Sequence, residues 1–494
     1  MGCFALAILG SLANILIFPY ARRLHSMTLP RLLVFYVVFL FVLYKVSCKI
    51  KRTEPGKLNQ YAAWLTPAFS VTSLLLMLLC GYYLAHEPFC DNYSVFRGAA
   101  MIRYYGKISR DVNQSVYEYL AHFSNQWGFV LLLSLFPADL LGVSFESNTI
   151  LYLLSGILAL LFAMSFFVLL QTVKKRFGVQ AQLMLLFCLV LFLPQYPAMA
   201  VLYTDTFSMP FAILALCCML HIDQHSPRRK VIGLSVGIGV FLLIGSMIKM
   251  TCMILFAAAV LVWLLTLNPR RAAVCIMIPT LICAGGLKAV NTHMVRRVFE
   301  PNDVSRYETP LLHWIMMSIP TEDNLYGSCT DDYDYTWGLM EQGASHEEIM
   351  ESIHTRMEER LGAFRSLKDI IYAVLCKNAN YMGDGTFGMT EMLDDSPLRE
   401  NILSSFVLYD RPYYALYADL CGGIWLAQLT MSVLICLKHI QKRCVSLSIP
   451  MIAFLGLMIF EMIWEARSRY IFNLTPLVLL IASGGMIRKN NEPL

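Results

Sequence analysis

Apolar runs of 17–23 residues recur along almost the whole chain, and they restrict the folds open to it. A helix of that length crosses the roughly 30 Å hydrocarbon core of a bilayer. A transmembrane barrel would instead show strands that alternate polar and apolar residues with a period of two. The sequence therefore predicts an all-α polytopic membrane protein with about 11–13 transmembrane helices.

The remaining sequence divides these runs into four regions. The predicted spans are 3–19, 31–48, 62–84, 127–142, 149–170, 180–200, 206–220, 231–248, 250–267, 272–290, 414–437, 447–464 and 469–487. We expect an accessory N-terminal pair, a transmembrane core with one long loop, an outer helical domain and a C-terminal group of helices. Their bounds are 1–60, 61–290 (loop 85–126), 291–413 and 414–494.

Charge and composition predict the topology. Only 15% of the residues are charged, against about 25% in soluble domains. The net charge of +5 lies mostly in short loops, which is typical of cytoplasmic membrane boundaries and not of nucleic-acid binding. These basic segments are 49–57, 174–176, 226–230, 269–271, 438–443 and 488–491. The basic segment 21–26 is predicted to face outward, which is against the rule that basic loops lie on the cytoplasmic side. The two long loops then face outward. With this topology 127–142 and 149–170 cannot both cross, and a re-entrant 127–142 is one alternative.

The outer domain is predicted to contain short amphipathic helices. Ser345 and Glu348 form a capping box before an apolar face that ends near Gly362. A second helix is expected after Ser366. These helices either lie on the outer leaflet or pack on the bundle. The fifteen cysteines are mostly isolated in apolar runs, and a disulfide between Cys90 and Cys329 is one option, since the predicted topology puts both on the same side of the membrane.

Four places carry charges that a bilayer disfavours. A lone charge within a span costs roughly 2.5–3.5 kcal/mol on insertion scales and usually faces a polar cavity. The places are Asp91, Asp205, Lys249 and the cluster Glu465, Arg467 and Arg469. Each has an ordinary alternative: a loop residue, a helix cap, a lysine that extends to the interface, and an interfacial anchor. By the predicted topology all four lie at the outer membrane face, which favours a shared site.

Group transfer from a lipid phosphate would need this combination. A hydroxyl that attacks an anomeric carbon requires a carboxylate to accept its proton. A departing lipid phosphate requires cations that stabilise its charge, and Arg and Lys supply them differently. Charges at the outer ends of spans also leave an isoprenoid tail inside the bilayer.

Several segments in order resemble a known family. They are "DNYSVFRGAAMI" from Asp91, "FSNQWGFVLLLSLF" (123–136), "YTD" (203–205), a lysine in a later span, "HWIMMSIP", "YMGDGTF" (381–387) and a final "E-x-R-x-RY". Over about 80–490 the chain resembles the GT-C superfamily of integral-membrane glycosyltransferases, in particular the bacterial protein-mannosyltransferase-like members. The first two spans resemble an addition to that fold.

The resemblance implies roles for individual positions. Asp91 matches the catalytic general base and Asp205 the second acidic position. Lys249, Arg467, Arg469 and Tyr470 match donor-phosphate-binding positions. Weaker candidates for substrate binding are Gln126, His313, Asp384 and Glu465. Asn92 stands where many members have a second acid, so no metal site is assigned; no cofactor is expected to be obligatory, and a divalent metal is allowed but not favoured.

The resemblance also implies an activity. We expect an inverting glycosyltransferase in the plasma membrane with its site facing outward. Its partners would be a polyprenyl-phosphate-linked sugar donor, a glycan, teichoic acid, lipid or protein acceptor and the lipid bilayer. The alternatives are a transporter or flippase for lipid-linked glycans, and an envelope ligase or polymerase with a pyrophosphate-linked donor. Against the transporter, the sequence has no evident repeated halves.

Overall fold

A computed structural model describes residues 1–17, 27–137, 142–145, 147–299, 307–321, 324, 327–393, 397–439 and 445–484. Within these ranges the chain forms helices and no β-strand. The prediction of an all-α polytopic membrane protein is confirmed. The basic segments 21–26 and 488–491, most of 438–443 and the last residues of spans 3–19 and 469–487 lie outside the described residues.

The helices are numbered here in chain order. The first twelve are α1 (Gly2–Ile17), α2 (Leu29–Arg52), α3 (Pro55–Tyr83), α4 (Asp91–Tyr105), α5 (Gln114–His122), α6 (Trp127–Ser134), α7 (Thr149–Phe177), α8 (Val179–Val190), α9 (Thr204–Leu220), α10 (Arg228–Ile248), α11 (Cys252–Thr266) and α12 (Pro269–His293). The others are α13 (Leu311–Ser318), α14 (Asp331–Glu341), α15 (His346–Ala363), α16 (Leu367–Gly383), α17 (Ile402–Val407), α18 (Tyr414–His439), α19 (Val445–Ile463) and α20 (Thr475–Ser483).

The candidate membrane spans are of three kinds: long helices, one bent pair of helices and shorter apolar helices. Six of the described helices, α2, α3, α7, α10, α12 and α18, are long and apolar enough to cross a bilayer alone. A seventh span is formed if α8 and the short helical segment 193–200 count as one, bent by 65° at the break. Five shorter apolar helices add to these, among them α9, α11 and Leu447–Ile463 within α19. This bent pair ends at Ala200, four residues before α9 begins with Asp205 in its first turn.

Segment 127–142 does not form a full span in its described part. Its only helix there is α6, which has eight residues and is about 12 Å long at 1.5 Å per residue. Residues 138–141 lie outside the described residues. The short α6 therefore favours the re-entrant alternative for 127–142 over a full crossing.

The N-terminal helices pack on the C-terminal ones. α2 lies along α18, and a Cβ added to Gly423 of α18 would come within 2.5 Å of the Cβ of Phe35, so this contact depends on a residue without a side chain. The fully buried Asp419 accepts hydrogen bonds from the Thr28 backbone N–H (2.8 Å) and from Arg31 Nε (2.6 Å). A buried carboxylate with two donors is well compensated, and it joins the two ends of the chain.

The outer domain begins its helices as the sequence predicts. The Ser345 side chain accepts from the Glu348 N–H, and Glu348 accepts from Ser345 in return, so the capping box of α15 is confirmed. Ser366 caps α16 in the same way. α15 continues to Ala363, so the predicted stop at Gly362 is wrong by one residue, as is common at helix ends.

The predicted option of a Cys90–Cys329 disulfide is not realised. Neither of these two cysteines forms a disulfide, and neither do the other described cysteines. Cys90 is exposed beside α4, whereas Cys329 is buried and its thiol faces the carbonyl of Ile319. The two thiols therefore belong to different environments.

Candidate active site

Four separate chain segments meet where helices begin or end. Asp91 begins α4, Asp205 lies in the first turn of α9, and Lys249 directly follows α10. The stretch from Glu465 to Tyr470 connects α19 to the short helical segment that precedes α20. The predicted residues are therefore brought together by the ends of helices, where the chain leaves the apolar part of the bundle.

Asp91 is the accessible carboxylate of the site. Its side chain is 32% exposed, and its Oδ2 lies 3.6 Å from Arg469 Nη2. The same oxygen accepts a hydrogen bond of 3.2 Å from the Tyr203 hydroxyl. The residue before it, Cys90, has a φ of 48°, which is uncommon for a residue with a Cβ. The chain thus adopts a strained turn immediately before the one carboxylate of the site that water can reach.

Tyr203 connects Asp91 to two further polar side chains. Its hydroxyl accepts a hydrogen bond of 2.7 Å from Gln126 Nε2. The Tyr119 hydroxyl, from α5, lies within hydrogen-bonding reach of both Asp91 and Tyr203. The sequence contained Tyr203 within "YTD", but nothing in it singled out Tyr119. Gln126, a weaker candidate, therefore acts on Asp91 only through Tyr203.

Asp205 and Lys249 form a buried ion pair. Lys249 Nζ contacts Asp205 Oδ1. Asp205 is 1% exposed, and its Oδ2 has no hydrogen-bond partner among the described residues. Lys249 Nζ also lies 4.2 Å from the centroid of the Tyr470 ring, a cation–π geometry. A helix cap does not describe Asp205, because Thr206 makes the cap-type bonds of α9. A lysine that extends to the interface does not describe Lys249, because its Nζ contacts Asp205.

Glu465 organises the segment that follows α19. Its Oε1 accepts from Arg467 Nε (3.0 Å) and the Ser328 hydroxyl (2.7 Å), and its Oε2 accepts from the Tyr470 hydroxyl (2.8 Å). Burial by itself would raise the pKa of Glu465, but the charge of Arg467 and these hydrogen bonds hold it below its usual value. Glu465 is therefore an ionised residue that positions the Arg467 guanidinium and the Tyr470 hydroxyl.

Arg469 has donor capacity left over. Its guanidinium lies 5.6 Å from the Tyr203 ring and 5.3 Å from the Tyr470 ring, and one nitrogen contacts the sulfur of Met392. Its Nε is buried without a hydrogen-bond partner among the described residues. An anion that enters beside Asp91 would find this donor unused.

Asp384 stabilises the neighbouring loop. Its carboxylate accepts from the backbone N–H groups of Thr386 (2.8 Å) and Gly388 (2.6 Å) and from the hydroxyl of Ser468 (3.0 Å). A carboxylate with several donors fixes a turn, here against the segment that carries Arg467 and Arg469. The weaker candidate Asp384 is thus a positioning residue.

His313 belongs to the outer domain. Its Nδ1 lies 2.8 Å from Thr336 Oγ1, and its ring packs on Trp314 and Tyr333. Burial lowers the pKa of His313 to about 4, so the ring is neutral at pH 7 and provides no charge for a phosphate. Its neighbour Tyr333 is within electrostatic reach of Glu465 and Asp91. The outer domain therefore lies directly against the site through an aromatic layer.

Two buried charges were missed by the sequence analysis. Lys377 Nζ donates to the carbonyls of Ser318 (3.1 Å) and Met462 (2.9 Å), which close the ends of α13 and α19. Glu461 of α19 is fully buried and interacts electrostatically with Lys249 and Lys377. The signal for Glu461 was present, because a lone acid within an apolar span indicates a functional environment. Lys377 lies in a mixed segment with no such contrast.

Metal ligation is restricted in this region. Among the described residues, no group of three or more His, Cys, Asp and Glu side chains is arranged to hold a metal ion. The residue beside Asp91 is Asn92, which is buried.

Comparisons with known proteins place the chain in a family. The model of a family described as "conserved hypothetical integral membrane protein" matches residues 24–487. Curated proteins and solved structures give no match. The match covers the candidate site and every membrane-spanning helix after α1. The chain therefore belongs to this family of conserved integral membrane proteins.

Proposed function

We propose that this protein is an inverting glycosyltransferase of the plasma membrane that moves a sugar from a polyprenyl-phosphate carrier to an envelope acceptor on the outer face. The observation that carries the proposal is the position of Asp91, a partly exposed carboxylate 3.6 Å from a guanidinium and hydrogen-bonded to a phenol. A proton acceptor and an anion-binding cation beside one open position are the two groups that such a transfer requires.

Asp91 is the proposed general base. The acceptor hydroxyl loses its proton to the Asp91 carboxylate as its oxygen attacks the anomeric carbon. The bond between that carbon and the phosphate oxygen breaks, and the electron pair leaves with the polyprenyl phosphate. Asp205 does not suit this role, because it is 1% exposed and paired with Lys249. We assign Asp205 the positioning of Lys249 instead.

The leaving phosphate is proposed to bind the cations. Arg467 is the most accessible, with a side chain 36% exposed, while Lys249 and Arg469 are 13% and 16% exposed. Arginine presents several donors in a fixed plane, and lysine acts as a point charge. The unused Nε of Arg469 supports this assignment. No metal is needed to neutralise a monophosphate when three cations surround it.

The arrangement also suits a lipid donor. The site lies at one end of α9 and of α10, and the middle segments of both helices are mainly apolar. A phosphate held at these helix ends leaves its isoprenoid chain free to remain in the bilayer. The aromatic layer of Trp314, Tyr333 and Trp464 above it offers flat faces to a sugar ring.

The test uses the full-length protein in phospholipid nanodiscs with a panel of polyprenyl-phosphate hexoses and pentoses and a panel of candidate envelope acceptors. The measured quantities are release of polyprenyl phosphate and, separately, binding of the donor. General-base catalysis contributes roughly 10²–10⁴-fold, so Asp91→Asn is expected to lose at least about 100-fold in turnover while donor binding stays within about twofold. Asp111→Asn, the same change at an exposed position of the same loop, should leave both unchanged.

Two outcomes would reject the proposal. Turnover by Asp91→Asn at the rate of the unaltered protein would remove the base. Translocation of labelled lipid-linked sugar across vesicles by Asp91→Asn, with no turnover by either protein, would favour the flippase alternative.

A further inference from the structure

A charged cavity lies at the opposite end of α9 and α10 from the candidate active site. It has a volume of about 460 Å³ and is lined by Lys175 and Arg176 at the end of α7, His221 just after α9, and Lys230 and Leu234 near the start of α10. Asp205 and Lys249 stand at the opposite ends of α9 and α10. The 17 residues of α9 separate the two sites by about 25 Å.

The cavity has an excess of positive charge. The acid nearest to its lining is Asp223, whose Oδ2 lies 3.0 Å from Arg176 Nη1. Its Oδ1 already accepts from the His225 N–H and the Ser226 hydroxyl. Neither Lys175 nor Lys230 has an acidic partner among the described residues. Three cations therefore share one acid, an arrangement that an added anion would stabilise.

The pKa of His221 reflects this positive potential. Burial, followed by the charges of Arg176, Lys230 and Lys175, lowers its pKa, while Asp223 opposes them. The imidazole is therefore neutral at pH 7 in the empty cavity. A bound anion would favour its protonated form, so the ring adds a pH-dependent donor to the permanent cations.

The remaining wall of the cavity is apolar. Leu234 lies one helical turn beyond Lys230 on α10. Phe241, seven residues after Leu234, lies on the same face of α10 and is also partly buried, so the two side chains form an apolar stripe. This stripe begins beside the cations and continues into the apolar part of α10. A ligand with a charged head and an aliphatic tail would contact both surfaces.

We propose that this cavity binds the phosphate headgroup of an anionic membrane phospholipid, with its acyl chains along the partly exposed apolar face of α10 that carries Leu234 and Phe241. Free phosphate would satisfy the cations but leave Leu234 and the apolar stripe unused. The cavity is distinct from the candidate active site, and the proposal does not rest on the glycosyltransferase assignment. Its cations lie on basic segments that the topology places on the cytoplasmic side.

The test measures lipid retained by the full-length protein in native mass spectrometry, with phosphatidylglycerol or phosphatidylcholine as the probe. We expect phosphatidylglycerol to be retained at least about tenfold more strongly. Each cation near an anionic lipid is worth about a fivefold change in affinity, so Lys175→Gln with Lys230→Gln should lower phosphatidylglycerol affinity by about tenfold or more. The matched control is Lys51→Gln with Lys57→Gln, at the basic turn between α2 and α3.

Four outcomes decide the proposal. It stands if only the cavity pair of substitutions weakens phosphatidylglycerol. It is overturned if the control pair weakens this lipid equally, because surface charge alone would then explain the preference. Equal retention of both lipids also overturns it. So does full competition by millimolar inorganic phosphate, which would identify a free-phosphate site.

A pH series provides a readout that general charge does not reproduce. Because the pKa of His221 is lowered and an anion prefers the protonated ring, phosphatidylglycerol affinity should rise as the pH falls from 7 to 5. The other charged groups that face His221 are Arg176, Lys230, Lys175 and Asp223. The pKa of Asp223 is lowered by Arg176 and by hydrogen bonds although burial opposes this, so this carboxylate stays ionised over the range. His221→Gln should remove the pH dependence, and a persistent dependence in this variant would contradict the role of His221.

Discussion

The buried pair of Asp205 and Lys249 makes the sharpest quantitative prediction. Lys249→Met would leave Asp205, which is 1% exposed and has one oxygen without a partner, as an uncompensated buried charge. Removing one partner of such a pair costs roughly 3–5 kcal/mol. Asp205→Asn should cost less, about 1–2 kcal/mol, because Lys249 keeps some water contact and the face of Tyr470. The double variant removes both charges and should cost no more than about 2 kcal/mol.

The assay is a double-mutant cycle on the free energy of unfolding in mixed micelles. The expected coupling between the two sites is about 2–5 kcal/mol. The control is the pair Arg176 and Asp223, whose side chains are 24% and 31% exposed. Solvent screens that pair, so its coupling should not exceed about 1 kcal/mol. Additivity of Asp205→Asn and Lys249→Met within about 0.5 kcal/mol would refute the reasoning.

Two further substitutions test the hydrogen bond to Asp91 and the contact between α6 and α10. Tyr203→Phe removes the hydroxyl that donates to Asp91, so kcat for sugar transfer should fall about tenfold with KM for the donor unchanged; an unchanged kcat would show that the hydrogen bond does not orient the base. Gly128→Ala places a Cβ within 2.3 Å of the Met247 carbonyl oxygen, where α6 meets the end of α10, so the free energy of unfolding should fall by at least about 2 kcal/mol. Gly10→Ala, with no atom within 4 Å of the added carbon, is the control and should be neutral or slightly stabilising.

The sequence predicted the membrane helices well because bilayer thickness and hydropathy are strong local constraints. The start of α15 was also predictable, since a capping box is a contact between residues three positions apart. Segment 127–142 was ambiguous for a physical reason: its apolar composition is the same for a buried eight-residue helix as for a span. Apolar residues do not reveal whether they face lipid or protein.

The candidate site was predictable where charge contrasts with its surroundings. Asp205 and Lys249 stand out in apolar runs, and the structure brings them into direct contact. Their pairing was not predictable, because it depends on how α9 and α10 pack. Tyr119 and Lys377 were missed for the same reason, since a phenol or a lysine in a mixed segment has no local signature. The disulfide failed because a shared membrane side does not bring two thiols together.

The matched charges of the site have a consequence for selectivity. Asp91 faces Arg469, Asp205 faces Lys249 and Glu465 faces Arg467, so each cation already has a carboxylate. Such a neutral ensemble exerts little long-range attraction, and a stray chloride or sulfate gains little by entering it. A ligand that binds these cations must replace their carboxylate partners, so binding favours a molecule that carries both an anionic group for the cations and a hydroxyl for the carboxylates. The site should therefore bind simple salts weakly and select a ligand with both groups.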